Sequence, residues 1–346
     1  MKKIKSIGSA AIVLASFAFS NGAFAQETLV INSFGGSYEE THRKLVITPF
    51  EEKYNVKVEV VTAYSADALA QLRAQKDNPQ FDVVHFSGGL EHAAAAEGLL
   101  DAIKAEELSN YGQMYDFAVA GIDKGIGPTY STAVIGLLYN TEKAATPPTS
   151  WKDLSNEAYA NHVLITDAAS NTYGLLGFLM MNQVAGGSLD NIEPGLDFVK
   201  GLLPTSTVVS KSPEIQQNFA QGNGWIAPYA QDYAHTLTKA GLPVKFVQPE
   251  EGGVLAPITV NLVAGSKKRD LALKFIDFSI RAEASKGWAE ALRYTPTNKS
   301  VELADDVAAE VVYGEEAVAK LVTFDANKIA ANRAAWNEAW ARAIAK

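Results

Sequence analysis

The 346-residue chain contains no cysteine. Disulfides, thiolate metal ligands, a thiol nucleophile and a lipid anchor on an N-terminal cysteine are thereby excluded, and stability must come from a buried core. No GxSxG elbow, P-loop or HExxH occurs either, so the usual marks of a serine hydrolase, a nucleotide triphosphatase or a zinc peptidase are missing. The five histidines (His42, His85, His92, His162 and His235) are scattered without ligand spacing; His85 and His92 flank one loop and are the pair that could converge on a metal. Positive charge is also short: 30 Lys and Arg against 39 Asp and Glu give a formal net charge of −9. That balance argues against nucleic acid as a partner and is compatible with cationic ligands.

No apolar run is long enough to cross a membrane as a helix, which takes roughly 20 residues. The run from Ile7 to Phe19 follows Lys2, Lys3 and Lys5 and precedes Ala23-Phe24-Ala25. This pattern predicts an export signal over residues 1–25, cleaved before Gln26. Its removal leaves 321 residues (346 less 25) and takes the net charge from −9 to −12, since three lysines go with it. The remainder is ample for two domains.

From Leu29 the chain alternates strand and helix. Leu29–Ile31 reads as a strand running into Phe34-Gly35-Gly36-Ser37, then a helix to Tyr54 that Pro49 should kink. Val56, Val58 and Val60 mark a second strand, which leads to Ser65 and Asp67 at a helix start; Phe81–Phe86 marks a third, followed by Ser87-Gly88-Gly89. Repeated strand–helix units predict an α/β fold with a parallel sheet. Such a sheet binds ligands at the carboxyl ends of its strands, so Phe34, Gly36, Ser37, Ser65, Ser87 and Gly88 are candidate ligand contacts. Paired glycines let helix-start N–H groups approach an anion; the alternative for Ser37 is a helix cap.

The stretch Gly222–Gly253 reads as a recognition corner. It opens with a strand at Trp225, Ile226 and Ala227, bends at Pro228, and presents Tyr229, Gln231, Asp232 and Tyr233 before a helix that stops at Gly241. A second strand, Val244–Val247, leads to Pro249-Glu250-Glu251-Gly252. Exposed aromatics and one carboxylate at a helix start suit a small ligand, and nothing here pairs a nucleophile with a base. Asp232 could equally be a helix N-cap, Trp225 a core residue, and Tyr173 a packing residue of the helix Gly174–Val184.

This stretch resembles the periplasmic solute-binding proteins of ABC importers, in particular the polyamine-binding type and its relatives for small amines and amino acids. So do Tyr139-Asn140 with Thr149-Ser150-Trp151-Lys152-Asp153-Leu154, and Tyr294-Thr295-Pro296-Thr297-Asn298. The resemblance covers nearly the whole mature chain. It implies a two-lobed periplasmic-binding-protein fold (type II) with two crossovers and the ligand in the interlobe cleft, and a monomer that serves an inner-membrane permease and ATPase. Lobe 1 is expected over 26–133 and about 257–312, and lobe 2 over 134–256 and about 313–346. Hinges are expected near Ala133–Leu137 and Leu255–Thr259. The expected location is the periplasm; no enzyme activity, cofactor or metal is expected.

The polyamine branch places acids at the cleft where this chain keeps Asp167, and a Trp-x-Asp where it has Val254-Leu255-Ala256-Pro257-Ile258. What persists is Asp232 with Asp167, and the aromatics Phe34, Tyr173, Trp225 and Tyr229. One carboxylate among aromatics and helix-start amides suits a short amine or a small zwitterion such as a γ-amino acid. A small carboxylate, an iron ion, or service to a sensor remain the alternatives; iron-binding relatives use adjacent tyrosines, and no Tyr-Tyr pair occurs.

Overall fold

Period-two apolar patterns build the first strands of the computed structural model, which describes residues 26–144 and 146–345. The expected export signal lies outside the described residues. Strand β1 (Thr28–Ser33) pairs in parallel with β2 (Lys57–Thr62) and β3 (Val83–Ser87). Between β1 and β2 the chain forms α1 (Gly36–His42), a π-helical turn (Arg43–Ile47) and α2 (Thr48–Tyr54). Pro49 has no N–H to give the carbonyl of Leu45, and the Arg281 guanidinium donates to that oxygen instead at 2.8 Å. The expected kink is thus a π turn just before the proline. Helix α3 (Ser65–Ala74) joins β2 to β3, and α4 (Leu90–Ala96) follows β3.

After the short α5 (Asp116–Val119), the long strand β4 (Thr129–Asn140) carries the chain out of this first half. The second half has β5 (Val163–Thr166), α6 (Thr172–Val184), α7 (Glu193–Leu202), β6 (Ser206–Val209), α8 (Ser212–Ala220), β7 (Ile226–Ala230), α9 (Gln231–Lys239) and β8 (Val244–Val247). Strand β7 runs straight through Pro228, paired opposite Leu137 of β4; the expected bend there does not occur. Strand β9 (Val254–Leu262) then returns antiparallel to β4 and pairs with β3. Because β4 and β9 belong to both halves, one nine-stranded sheet results, in the order β2-β1-β3-β9-β4-β7-β5-β6 with β8 on β4. The pair β4/β9 is the two-strand ribbon on which the halves meet.

Helices α10 (Arg269–Ser279) and α11 (Ala282–Leu292) pack back on the first half, and the turn after them bridges Thr295 to Thr132. Two short helices, α12 (Asp305–Ala308) and α13 (Glu315–Ala319), precede α14 (Ala326–Ile344). Trp340 of α14 is buried edge-on against Phe178 of α6 at 5.1 Å. The Pro249–Gly252 turn has a structural task. Glu251 accepts from the Ser150 hydroxyl and from Trp151 N–H (3.2 Å), while the buried Trp151 indole donates to Gly252 O at 2.9 Å.

Candidate functional site

The carboxyl ends of β1, β2 and β3 face those of β5 and β7 across a narrow gap. The approach is close at Gly88, where a Cβ would sit 4.0 Å from Thr172 of α6. On the first half, Gly35 and Gly36 (φ 74° and 54°) turn the chain from β1 into α1. Phe34 stacks on the 65 %-exposed Tyr64 (centroids 6.4 Å, planes 7° apart) and leans on Tyr38 at 5.2 Å. Tyr38 in turn lies over the Trp288 indole at 4.9 Å and shares a hydroxyl contact with Tyr130. Trp288 continues to Tyr294 at 6.1 Å, planes 21° apart.

From the second half come Tyr173, Tyr229 and Tyr233, each edge-on to the next at 5.5 and 5.2 Å. Asn171 caps α6 by accepting from the N–H of Tyr173 and Gly174, which fixes where the Tyr173 ring starts. Ser212 holds the other two phenols: its hydroxyl meets Tyr229 Oη at 2.6 Å, and its carbonyl accepts from Tyr233 Oη at 2.5 Å. Buried Gln231 reaches across the gap, donating to Arg293 O (2.7 Å) and Thr295 Oγ1 (3.0 Å). It thereby sets Tyr294 beside its own neighbour, Asp232.

Asp232 is the centre of this ring. Its carboxyl oxygen Oδ1 is buried and has no hydrogen-bond partner among the described residues. Burial pushes the carboxyl from an ordinary 3.8 up to about 7, while its own N–H and that of Tyr233 pull partly the other way. Burial, and then the Asp232 charge, raise the phenols of Tyr173 and Tyr294 well above their usual range. Tyr38 contributes to both shifts, so residues of both halves converge on one point. One buried, unpartnered carboxylate oxygen on a half-buried aspartate, set among aromatic rings, is chemically suited to an organic cation.

The sequence model for the family described as bacterial extracellular solute-binding protein matches residues 46–313. The chain belongs to that family. This solute-binding protein is 26 % identical over 263 residues to the spermidine/putrescine-binding periplasmic protein of Salmonella typhimurium, covering 73 % of this chain and 74 % of that one. It is 24 % identical over 306 residues to the gamma-aminobutyric acid-binding protein of Pseudomonas aeruginosa, covering 83 % and 82 %. A solved ABC transporter structure from Clostridium perfringens superposes with a TM-score of 0.80 at 25 % identity, over 92 % of this chain and all of that one. The architecture is thus the two-lobed periplasmic-binding-protein fold, and the protein works in binding and transport, not catalysis.

The residues singled out in the sequence of this solute-binding protein fall into three groups. Phe34, Tyr173, Tyr229 and Asp232 come together at the cleft, with Gly36 and Ser37 at its α1 edge. Asp232 is not the helix N-cap: that position is Ala230, and no side chain caps it. Nor is Ser37 a cap, because Gly35 holds the N-cap position of α1. Ser65 and Ser87 spend their hydroxyls on each other (3.2 Å), and Ser87 N–H donates to Ser65 Oγ at 2.9 Å, which ties the ends of β2 and β3 together. Asp167 is used by its own turn, accepting from Ala169 N–H at 2.9 Å and the Ser170 hydroxyl at 2.6 Å.

Trp225 is the misplaced one. It precedes β7, whereas Asp232 follows it, so the five residues of that strand separate them by ~17 Å of rise. Its ring lies flat on His162 at 3.7 Å, and its indole N–H donates to Gly222 O at 3.0 Å. The sequence reading missed Tyr38, Tyr64 and Tyr294 at the cleft, and Trp288 as the buried ring beneath Tyr38. Tyr294 had a signal in its Tyr-x-Pro-x-Asn turn, and Tyr38 stands one helical turn beyond Phe34; Trp288 had none. His85 is buried against His42 (centroids 4.9 Å) with Nδ1 2.8 Å from Asn32 O, and does not converge with His92. Among the described residues no three His, Asp or Glu side chains gather as metal ligands would.

Proposed function

We propose that this solute-binding protein captures a small primary amine or a zwitterion of the γ-amino-acid kind. It then hands that solute to an inner-membrane ABC permease and its ATPase. One observation carries the ligand class: the partnerless oxygen of Asp232 within a ring of tyrosines. An ammonium at that point would satisfy the carboxylate and lie against ring faces, an attraction of roughly 0.5–2 kcal/mol for each ring. The single acid at the ring's centre favours a short ligand over a long polyamine, because Asp167 is occupied by its own turn. For a zwitterion, the amides at the Gly36–Ser37 corner would receive the carboxylate.

In this reading the chain is exported, its signal is cleaved before Gln26, and it works as a monomer in the periplasm, without nucleic acid. Among the described residues no helix is long and apolar enough to cross a membrane. The lobes are 26–133 with about 257–312, and 134–256 with about 313–346; they close by bending the ribbon at Ala133–Leu137 and Leu255–Thr259. Titration calorimetry with γ-aminobutyrate, putrescine, spermidine and succinate tests the ligand class. Tight binding of γ-aminobutyrate or putrescine is expected. Binding of succinate alone would overturn the assignment.

A further inference from the structure

A cavity of about 350 Å³ lies on the other face of the β4/β9 ribbon from the tyrosine ring. The alternation of strand side chains shows this. Leu255, Pro257 and Thr259 of β9 line the cavity, so Ala256 and Ile258 point away from it. Ile258 lies opposite Ser131, whose hydroxyl is 3.4 Å from Tyr38 Oη in the ring. The remaining walls come from the first turn of α4, the chain around α5 (Phe117, Lys124) and residues 323–327 leading into α14. The volume is within the range of small-molecule sites.

Glu91 lines this cavity with only 3 % of its side chain exposed, and its Oε2 has no partner among the described residues. Burial pushes its carboxyl up to about 7, while its own N–H and that of Gly89 pull partly the other way, the behaviour of an acid that lacks a counter-charge. His92 stands 4.0 Å from Oε1, and its imidazole is pushed down by burial and by Lys124, with Asp325 pulling the other way. Lys124 also lines the cavity and makes no ion pair within 4 Å among the described residues; it acts at longer range on Asp325, which caps α14 by accepting from the N–H groups of Asn327 and Lys328. A buried carboxylate oxygen without a donor calls for an occupant. The apolar walls (Phe117, Leu255, Pro257, Phe324) say that the occupant has an apolar body.

We propose that this cavity is a second ligand site, separate from the cleft, which takes a small organic ammonium with its charged end on Glu91. The test uses phenethylammonium chloride at about pH 8, where the amine is still charged, followed by amide NMR shifts and by calorimetry. Shifts are expected at Gly121, Thr323 and Asn327. Glu91→Gln should weaken that set tenfold or more, whereas Asp232→Asn leaves it within about twofold. Thr323→Trp, at an exposed loop position on the cavity wall, should abolish it while the fold persists. Three results would overturn the proposal: shifts confined to Tyr173 and Asp232, equal affinity in Glu91→Gln, or no binding up to about 10 mM, which would leave the oxygen to a water.

Discussion

Replacing Asp232 by Asn keeps the shape of the side chain and removes its charge, and the structure predicts two effects of opposite sign. In the empty protein the carboxyl is pushed from 3.8 to about 7 by burial. An acid whose folded value lies above its unfolded value costs stability as pH rises. Nothing is lost below about pH 4, the loss grows through the interval, and it is complete above about pH 7. The full cost is at most about 4 kcal/mol, taken from that displacement. Asp232→Asn should therefore make the empty protein more stable near neutral and alkaline pH, and no different in acid. Binding should move the other way. Losing one member of a buried charged pair costs about 2–5 kcal/mol, or ~30-fold to several thousandfold in affinity. Denaturant melts across the pH range, with γ-aminobutyrate and putrescine titrations, read both. A helix cap would show neither effect, since Asn caps about as well as Asp and Ala230 holds the cap position. Unchanged affinity for every amine, or a less stable empty protein, would refute the reasoning.

Other expectations can be checked alongside. Trp225→Phe should leave the ligand-induced change in tryptophan emission nearly intact, because Trp225 lies on His162 while Trp288 lies under Tyr38; loss of the change would return Trp225 to the cleft. Small-angle scattering should show a smaller radius of gyration with γ-aminobutyrate than without, and an equal radius with ligand demonstrably bound would remove the ribbon as a hinge. Trp340→Ala should cost about 3–5 kcal/mol in chemical denaturation, since the ring is 1 % exposed and fills space against Phe178. A cost under about 1 kcal/mol would mean that α14 contributes little to the core.

The sequence by itself determined the alternation of strand and helix over the first three strands and the Gly222–Gly253 stretch, because those elements rest on local periodicity and on a few Gly, Pro and Ser positions; β6 and α8 carried no such signal. The stop at Gly241 (φ 83°) and the strand Val244–Val247 fall where the pattern puts them. The corners at Phe34–Ser37, Ser65 and Ser87–Gly88 were legible for the same reason, and Asp232 followed from a lone acid beside aromatics at a helix start. Only the tertiary structure decided which aromatics share the cleft. Trp225 and Tyr229 are four residues apart, yet a strand carries them to its opposite ends; Trp288 is remote in sequence, yet the returning helix α11 brings it under Tyr38. Glu91 carried no local signal either, since an acid in the first turn of a helix reads as a partner of the helix dipole. Its burial behind the ribbon depends on β9 and on residues 323–327, chain that folds against it from far along the sequence.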